Sequence, residues 1–212
     1  GMLPKDAVKP AYAERVSNLE DTKGLFSVAV AVDADAHEAL PYNIYRVYPE
    51  EDGILSRGIF HQLRSSGQPG KNILSMMTIS GIEEWRQWKE TTSGRRGSDY
   101  VEAKERKALW FMEEASKLFG HLKGGKILDV YTPLTIRDKV GSPGGSAYGI
   151  LRSVKQLMKT ASLHRTSIEG LFLAGQNSMA PGIMGTTLGS FQTVRRIIGQ
   201  ERFNREVMVD FL

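Results

Sequence analysis

Leu25 to Asp33 reads LFSVAVAVD, apolar on both alternating faces but for Ser27. Such a run predicts a strand buried on each side, not a half-solvated edge. Working outward, Tyr42 to Tyr48 (YNIYRVY) alternates between Pro41 and Pro49 and predicts a second strand. Ile59 to Leu63 and Asn72 to Ile79 predict two more, and the turn-rich Ser65 to Gly70 between them predicts a hairpin. Lys126 to Tyr131 and Gly170 to Ala174 (GLFLA) complete the strands. A short helix is expected over Ile82 to Lys89, with Trp85 and Trp88 on one side as core residues. A longer one runs from Asp99, in capping-box spacing with Glu102, to a stop at Gly120. Val101, Ala108, Phe111, Met112, Ala115, Leu118 and Phe119 form its apolar stripe. A last helix spans about Gly182 to Ile198, and a short charged helix follows from Glu201. The expected class is α+β: a mixed sheet of about five or six strands covered by helices, closed by a C-terminal strand-loop-helix segment.

Composition sets bounds on function. At 212 residues with 41% hydrophobic and 25% charged, the chain can bury a globular core. The absence of cysteine excludes a disulfide scaffold, thiolate metal sites and cysteine catalysis. A net charge of +4 is too mild to argue for nucleic acid. The most apolar run, Leu25 to Val32, falls far short of the roughly 20 residues of a membrane span, and no secretory leader is legible. Gly1 ahead of Met2 reads as an added residue and is set aside.

Several motifs fail on inspection. Gly120 to Lys126 matches G-x-x-x-x-G-K but lacks the following Ser/Thr, and it lies between a helix and a strand in the wrong order. No two glycines have the close spacing that a G-x-G-x-x-G fingerprint requires. The histidines, His37, His61, His121 and His164, are scattered without metal-ligand spacing, so no metal site is expected. No G-x-S-x-G elbow occurs.

Of the 22 glycines, 13 gather between Gly120 and Gly199. The loop Gly175 to Pro181 joins a strand to a helix, the place where open α/β proteins bind ligands. Pro181 suits the start of that helix. Gly182, Gly185 and Gly189 share one face, where bare backbone would let a flat or anionic group reach the free N–H groups. Ile183, Leu188, Phe191, Val194 and Ile198, on the other face, are expected to pack inward. Close helix packing is an equally good reading of the glycines.

These residues carry a resemblance. Gly170 to Gly199 (GLFLAGQNSMAPGIMGTTLGSFQTVRRIIG) resembles the C-terminal flavin-contacting segment of the phytoene desaturase and retinol saturase family of FAD-dependent oxidoreductases. Thr132 to Ile150 (TPLTIRDKVGSPGGSAYGI) resembles a second signature of that family, and Ser75 to Trp88 (SMMTISGIEEWRQW) fits the stretch before it. The likeness runs through most of the chain from about Leu25, and the family enzyme is about twice this length. The resemblance implies a substrate-binding-domain-like region over 3–169 and an FAD-contacting segment over 170–212, with the N-terminal dinucleotide-binding half absent.

It also implies site residues. Gly182, Ile183, Met184 and Gly185 would lie against the pyrimidine edge of the flavin, with Pro181 opening the helix. Gly175 precedes Gln176, which stands where related flavoproteins often carry an acidic residue toward the ribityl chain. Gly144, Gly145, Ser146 and Tyr148 would line the mouth of the substrate cavity. Catalytic residues are not identified; Tyr148 and Arg137 are the nearest candidates for proton transfer. The implied reaction is hydride transfer through FAD to or from a conjugated apolar, isoprenoid-like substrate. FAD would bind weakly or not at all to this chain alone, which would be inactive by itself and pair with a dinucleotide-binding half or a second copy. The expected location is cytoplasmic, or peripheral at a membrane, with no nucleic-acid partner. The other class of function in view is a non-catalytic apolar-ligand-binding or protein-interaction domain derived from that family.

Overall fold

The computed structural model describes residues 7–49, 57–160, 163, 166 and 168–208; His164 lies outside them. In chain order the elements are α1 (Pro10–Ser17), β1 (Gly24–Asp33), β2 (Ile44–Tyr48), β3 (Arg57–Ser65), β4 (Lys71–Ser80) and a 3-10 turn (Ile82–Trp88). Then come α2 (Ser98–Phe119), β5 (Lys126–Tyr131), α3 (Pro133–Val140), α4 (Leu157–Thr160), α5 (Gly182–Ile198) and α6 (Gln200–Glu206). Two compact units result: Lys23–Ala147, and the flanking chain before Lys23 and after Ala147.

Lys23–Ala147 holds the sheet, in the order β2-β3-β4-β1-β5, with every neighbouring pair antiparallel. The α+β class and a five-stranded sheet therefore stand as read. The LFSVAVAVD run is its organising strand, bonded to β4 on one side and β5 on the other. Phe26, Val28, Val30 and Val32 on its covered face are fully buried. Each such side chain is worth about 1.5–3 kcal/mol of transfer free energy. Register carries this face across the sheet as the rows Ile44–His61–Met76–Val28–Val130 and Leu63–Leu74–Val30–Ile127. α2 lays Ala108, Phe111 and Ala115 on these rows. Trp85 stacks on Phe26 with centroids 5.8 Å apart, and Trp88 and Tyr100 extend the aromatic cluster, so both indoles are core residues as expected.

The opposite face of the sheet carries a different set. One cross-strand row there reads Tyr45–Phe60–Met77–Ser27–Tyr131, spanning all five strands, and Tyr45 meets Phe60 edge-on at 5.1 Å.

The helices differ from the reading in three places. Gly97, not Asp99, caps α2, and Asp99 instead accepts a 2.9 Å hydrogen bond from the Trp88 indole. Inside the first turn its carboxylate still faces the positive end of the helix dipole. Within the expected stripe Val101 and Leu118 stay exposed, because a 22-residue helix overhangs the rows it covers. The stretch after Tyr131, read as turns, contains α3. Thr132 caps it: its hydroxyl accepts from the Leu134 N–H and its own N–H donates to Thr135 Oγ1, with Pro133 in the first turn.

His61 sits in a core row, 1% exposed, and neither ring nitrogen has a hydrogen-bond partner. Its ring lies 6.0 Å from Phe119. Close by on the covered side, Glu114 is held by Tyr48 at 2.5 Å, by Arg46 at 3.4 Å and by Lys117. Burial pushes the His61 imidazole below its ordinary 6.5, partly offset by backbone groups of Ile59 and Ile44. A depressed histidine stabilises the fold above its unfolded value, and that stability drains as pH falls below about 6.5. Urea midpoints should therefore drop between pH 7 and pH 5.5, and His61→Leu should flatten that slope; an equal slope in the variant would show that His61 does not carry it.

Candidate functional site

The loop Gly175 to Pro181 and the start of α5 are built on glycine. Gly175, at φ 85, turns the chain out of the GLFLA stretch. That stretch makes only an isolated bridge at Phe172 and joins no strand of the sheet, because an extended segment becomes a strand only where a neighbour completes its ladder. Phe172 and Leu173 are 37% and 38% exposed.

Ser178 is buried, and its hydroxyl donates to the Gly175 carbonyl at 2.8 Å. A Cβ at Gly189 would stand 2.5 Å from that hydroxyl oxygen, and one at Gly185 would stand 2.5 Å from the Ala180 carbonyl oxygen. Thr193 Oγ1 lies 2.8 Å from the Leu173 carbonyl oxygen. The inward face of α5 is therefore Gly185, Gly189 and Thr193. This corrects the expectation for the larger apolar residues: Ile183, Leu188 and Val194 are 91%, 41% and 38% exposed. Backbone-to-backbone approach needs the smallest side chains at the contact, which turns the bulky ones outward.

Gly182 behaves differently from its two helical companions. It stands at φ 83 directly after Pro181, and nothing lies within 4 Å of where its Cβ would project. With Ile183 and Met184, 91% and 71% exposed, it forms an open apolar lip at the helix start, where first-turn N–H groups lack intrahelical partners. Gln176 is half-buried in the loop before it.

Asn177, which drew no attention in the sequence, ties this loop to the end of the other signature stretch. Its side-chain oxygen accepts from the Ile150 N–H at 3.0 Å, and its carbonyl accepts from Arg152 Nη2 at 2.7 Å. Arg152 also donates to the Thr160 carbonyl at 3.2 Å, and burial lowers the pKa of its guanidinium. Gly149, at φ 69, makes room for the brace, since a Cβ there would fall 1.9 Å from Asn177 Oδ1. Thr22 completes the junction, its N–H donating to the Gly149 carbonyl at 2.8 Å and its hydroxyl accepting from the Tyr148 N–H at 3.2 Å. The Tyr148 side chain is 49% exposed. The only sequence signal for Asn177 is its place between two glycine-rich stretches.

Gly144, Gly145 and Ser146 belong to the sheet-bearing unit. A Cβ on Gly145 would lie 2.4 Å from the Pro133 carbonyl oxygen, and one on Gly24 would lie 2.3 Å from the Gly145 carbonyl oxygen. Gly145 thus has a packing role, letting three backbones cross beside the capped start of α3, and Ser146 is buried beside it. Arg137 is fully engaged, with Asp138 at 2.8 Å, the Thr91 carbonyl at 2.7 Å and the Lys89 carbonyl. The two carbonyl bonds tie α3 to the chain that follows Trp88. Among the described residues no cluster of histidine and acidic side chains could hold a metal ion.

Comparison with known proteins matches the resemblance read in the sequence. The chain is 23% identical over 218 residues to a protein named all-trans-retinol 13,14-reductase from Danio rerio, covering 89% of this chain and 36% of that protein. Proteins of the same name from Macaca fascicularis and Homo sapiens are 33% and 32% identical over 127 residues, 58% of this chain. The chain thus spans only 21–36% of the length of these curated relatives. No protein-family model matches it, and no solved structure matches it significantly.

The brace and the lip separate in a stability measurement. Gly149→Ala meets both left-handed strain and a collision with Asn177, and should cost about 1–3 kcal/mol in denaturant unfolding. Gly182→Ala meets the backbone strain alone and should cost no more than about 1–2 kcal/mol. Equal losses would mean that the Asn177 contact carries none of the difference.

Proposed function

We propose that this chain, a relative of proteins named all-trans-retinol 13,14-reductase, is part of an FAD-dependent oxidoreductase that saturates or desaturates a conjugated, isoprenoid-like substrate. The observation that supports this most is the Asn177 brace, which joins both stretches that carry the family likeness. In this reading 3–169 serves substrate binding and 170–212 serves flavin contact. The dinucleotide-binding half is supplied by polypeptide outside these residues, so the chain alone does not turn over.

The residues present fit one end of the cofactor. The open position at Gly182 and the exposed Ile183 and Met184 suit the edge of a flat ring, and free N–H groups at the start of a 17-residue helix favour negative charge there. Gly175 and Gln176 are assigned to the ribityl side, where a neutral amide offers hydrogen bonds without charge. For the adenosine end the chain offers no fingerprint, so weak binding of FAD is expected. When bound, FAD supplies the hydride carrier.

The chain's own contribution on the substrate side is apolar positioning. The row Tyr45–Phe60–Met77–Ser27–Tyr131 lays aromatic and thioether side chains across the second face of the sheet, with Tyr45 exposed, Phe60, Met77 and Tyr131 half-buried and Ser27 buried. Such a row suits a flat polyene, with aromatic and thioether contacts worth about 0.5–1.5 kcal/mol apiece. By the family likeness, Gly144, Gly145, Ser146 and Tyr148 are proposed to meet the substrate. A substrate of this kind partitions into bilayers, and a peripheral position at a membrane is part of the proposal. Among the described residues no helix is long and apolar enough to cross one.

The direct test is a fluorescence titration with all-trans-retinol, in parallel with FAD. Retinol should bind at micromolar concentrations, and Phe60→Glu should weaken it on the order of tenfold through loss of one aromatic contact and a new charge. FAD should bind more weakly still and lose affinity in Ile183→Asp. Retinol binding that no change around Gly182 to Met184 couples to flavin would favour a ligand-binding module, and failure to bind either would overturn the proposal.

A further inference from the structure

The turn Val154–Gln156 and helix α4 after it reverse the usual order of burial. Gln156 and Thr160 are 4% and 2% exposed, whereas Val154, Leu157 and Met158 are 92%, 61% and 85% exposed. The inward pair is pinned. Gln156 accepts from the Glu20 N–H at 2.8 Å and donates to the Leu151 carbonyl at 2.7 Å and the Glu20 carbonyl at 3.1 Å. The Thr160 hydroxyl donates back to the Gln156 carbonyl at 3.0 Å. A helical turn of a water-facing surface would place its polar residues outward and its apolar ones inward. Here the polar residues are spent on anchoring, and three apolar side chains are held out in a fixed arrangement beside the exposed Lys155 and Lys159.

Along the turn itself charge is of one sign: from Leu151 to Thr160 the sequence carries Arg152, Lys155 and Lys159 and no aspartate or glutamate, while the exposed Glu20 and Asp21 belong to the segment that pins Gln156. Exposed apolar side chains ringed by lysines match the chemistry of a bilayer interface, where the apolar groups sink among headgroups and the lysines meet lipid phosphates. A protein partner fits less well. Stable protein interfaces bury about 800 Å² on each side and centre on Trp, Tyr or Arg, and this single turn offers neither.

We propose that Val154 to Lys159 is a docking element for an anionic membrane surface, with Val154, Leu157 and Met158 inserted at the headgroup level and Lys155 and Lys159 paired with anionic lipids. Because Gln156 and Thr160 already hold the turn, docking orders no loop, which keeps its entropic cost low. The proposal deepens the peripheral membrane position of the oxidoreductase reading and needs no flavin, so its failure would remove that position and leave the flavin chemistry standing.

The test is flotation of the 212-residue protein with phosphatidylcholine vesicles, with and without phosphatidylserine. Binding should appear only with the anionic lipid and weaken as salt rises. Lys155→Gln with Lys159→Gln should lower the partition coefficient on the order of tenfold, given about 1 kcal/mol per lysine near a charged surface. Leu157→Ser with Met158→Ser should lower it comparably, and all four positions are exposed, so folding should be unaffected. The native chain has no cysteine, so a polarity-sensitive dye on Met158→Cys reports this turn alone and should shift to the blue on anionic vesicles. Three outcomes would overturn the proposal: no partition into anionic vesicles, wild-type partition in both double variants, or a dye shift that tracks protein concentration without lipid. The last of these would assign the turn to contact between copies of the chain.

Discussion

β1 has hydrogen-bonded neighbours on both sides while its alternate residues, Phe26, Val28, Val30 and Val32, are sealed from water. Pairing on both edges demands a register, and sealing on one face demands a helix above it. A slip of one residue would move the whole buried set to the other face. The hairpin of β3 and β4, the position of α2 and the place of β5 all follow from satisfying those two demands at once. The bulge that shifts the β1–β5 register after Ala29 keeps Ile127 and Val130 on the core side.

A second constraint is the close approach of backbones, and it explains much of the glycine content. Gly24 and Gly145 cross beside Pro133, Gly149 admits the Asn177 side chain, and Gly185 and Gly189 admit the loop before α5. At each, a methyl group would collide with a carbonyl, an amide or, at Gly189, the Ser178 hydroxyl. Gly182, with open space beside it at the start of α5, carries the functional proposal instead. The two stretches that suggested a flavin enzyme thus act locally as packing devices. One of them, Gly149 with Asn177, is also the junction where they meet.

The apolar groups outside the core sort into sets. The cross-strand row on the second sheet face is aromatic and mostly half-buried, suited in the proposed function to a flat apolar molecule. The lip of Gly182, Ile183 and Met184 is small and sits at a helix terminus. The turn at Val154 is aliphatic and flanked by lysines. Area, aromatic content and nearby charge differ among them, and those quantities decide what each surface can hold.

Periodicity alone was enough to place β1 through β5 and the long helix, because burial on a sheet or under a helix repeats with the period of the backbone. Trp85 and Trp88 were legible as core for the same reason. Elements set by local exceptions were less so. α3 hides behind Pro133 and a run of glycines that resemble a turn, although Thr132 and Thr135 form its cap. GLFLA has the apolar residues of a strand, yet among the described residues it makes only the bridge at Phe172 and joins none of β1 to β5. The inward face of α5 was misread because apolar bulk was taken to point at the protein interior, while the contact demanded the smallest residues. Asn177, Arg152 and the row from Tyr45 to Tyr131 appear only when distant segments are brought together. Sequence by itself determined which segments could bury a face. Tertiary structure decided which partners they met, because pairing, register and the exclusion of a single Cβ are properties of two segments at once.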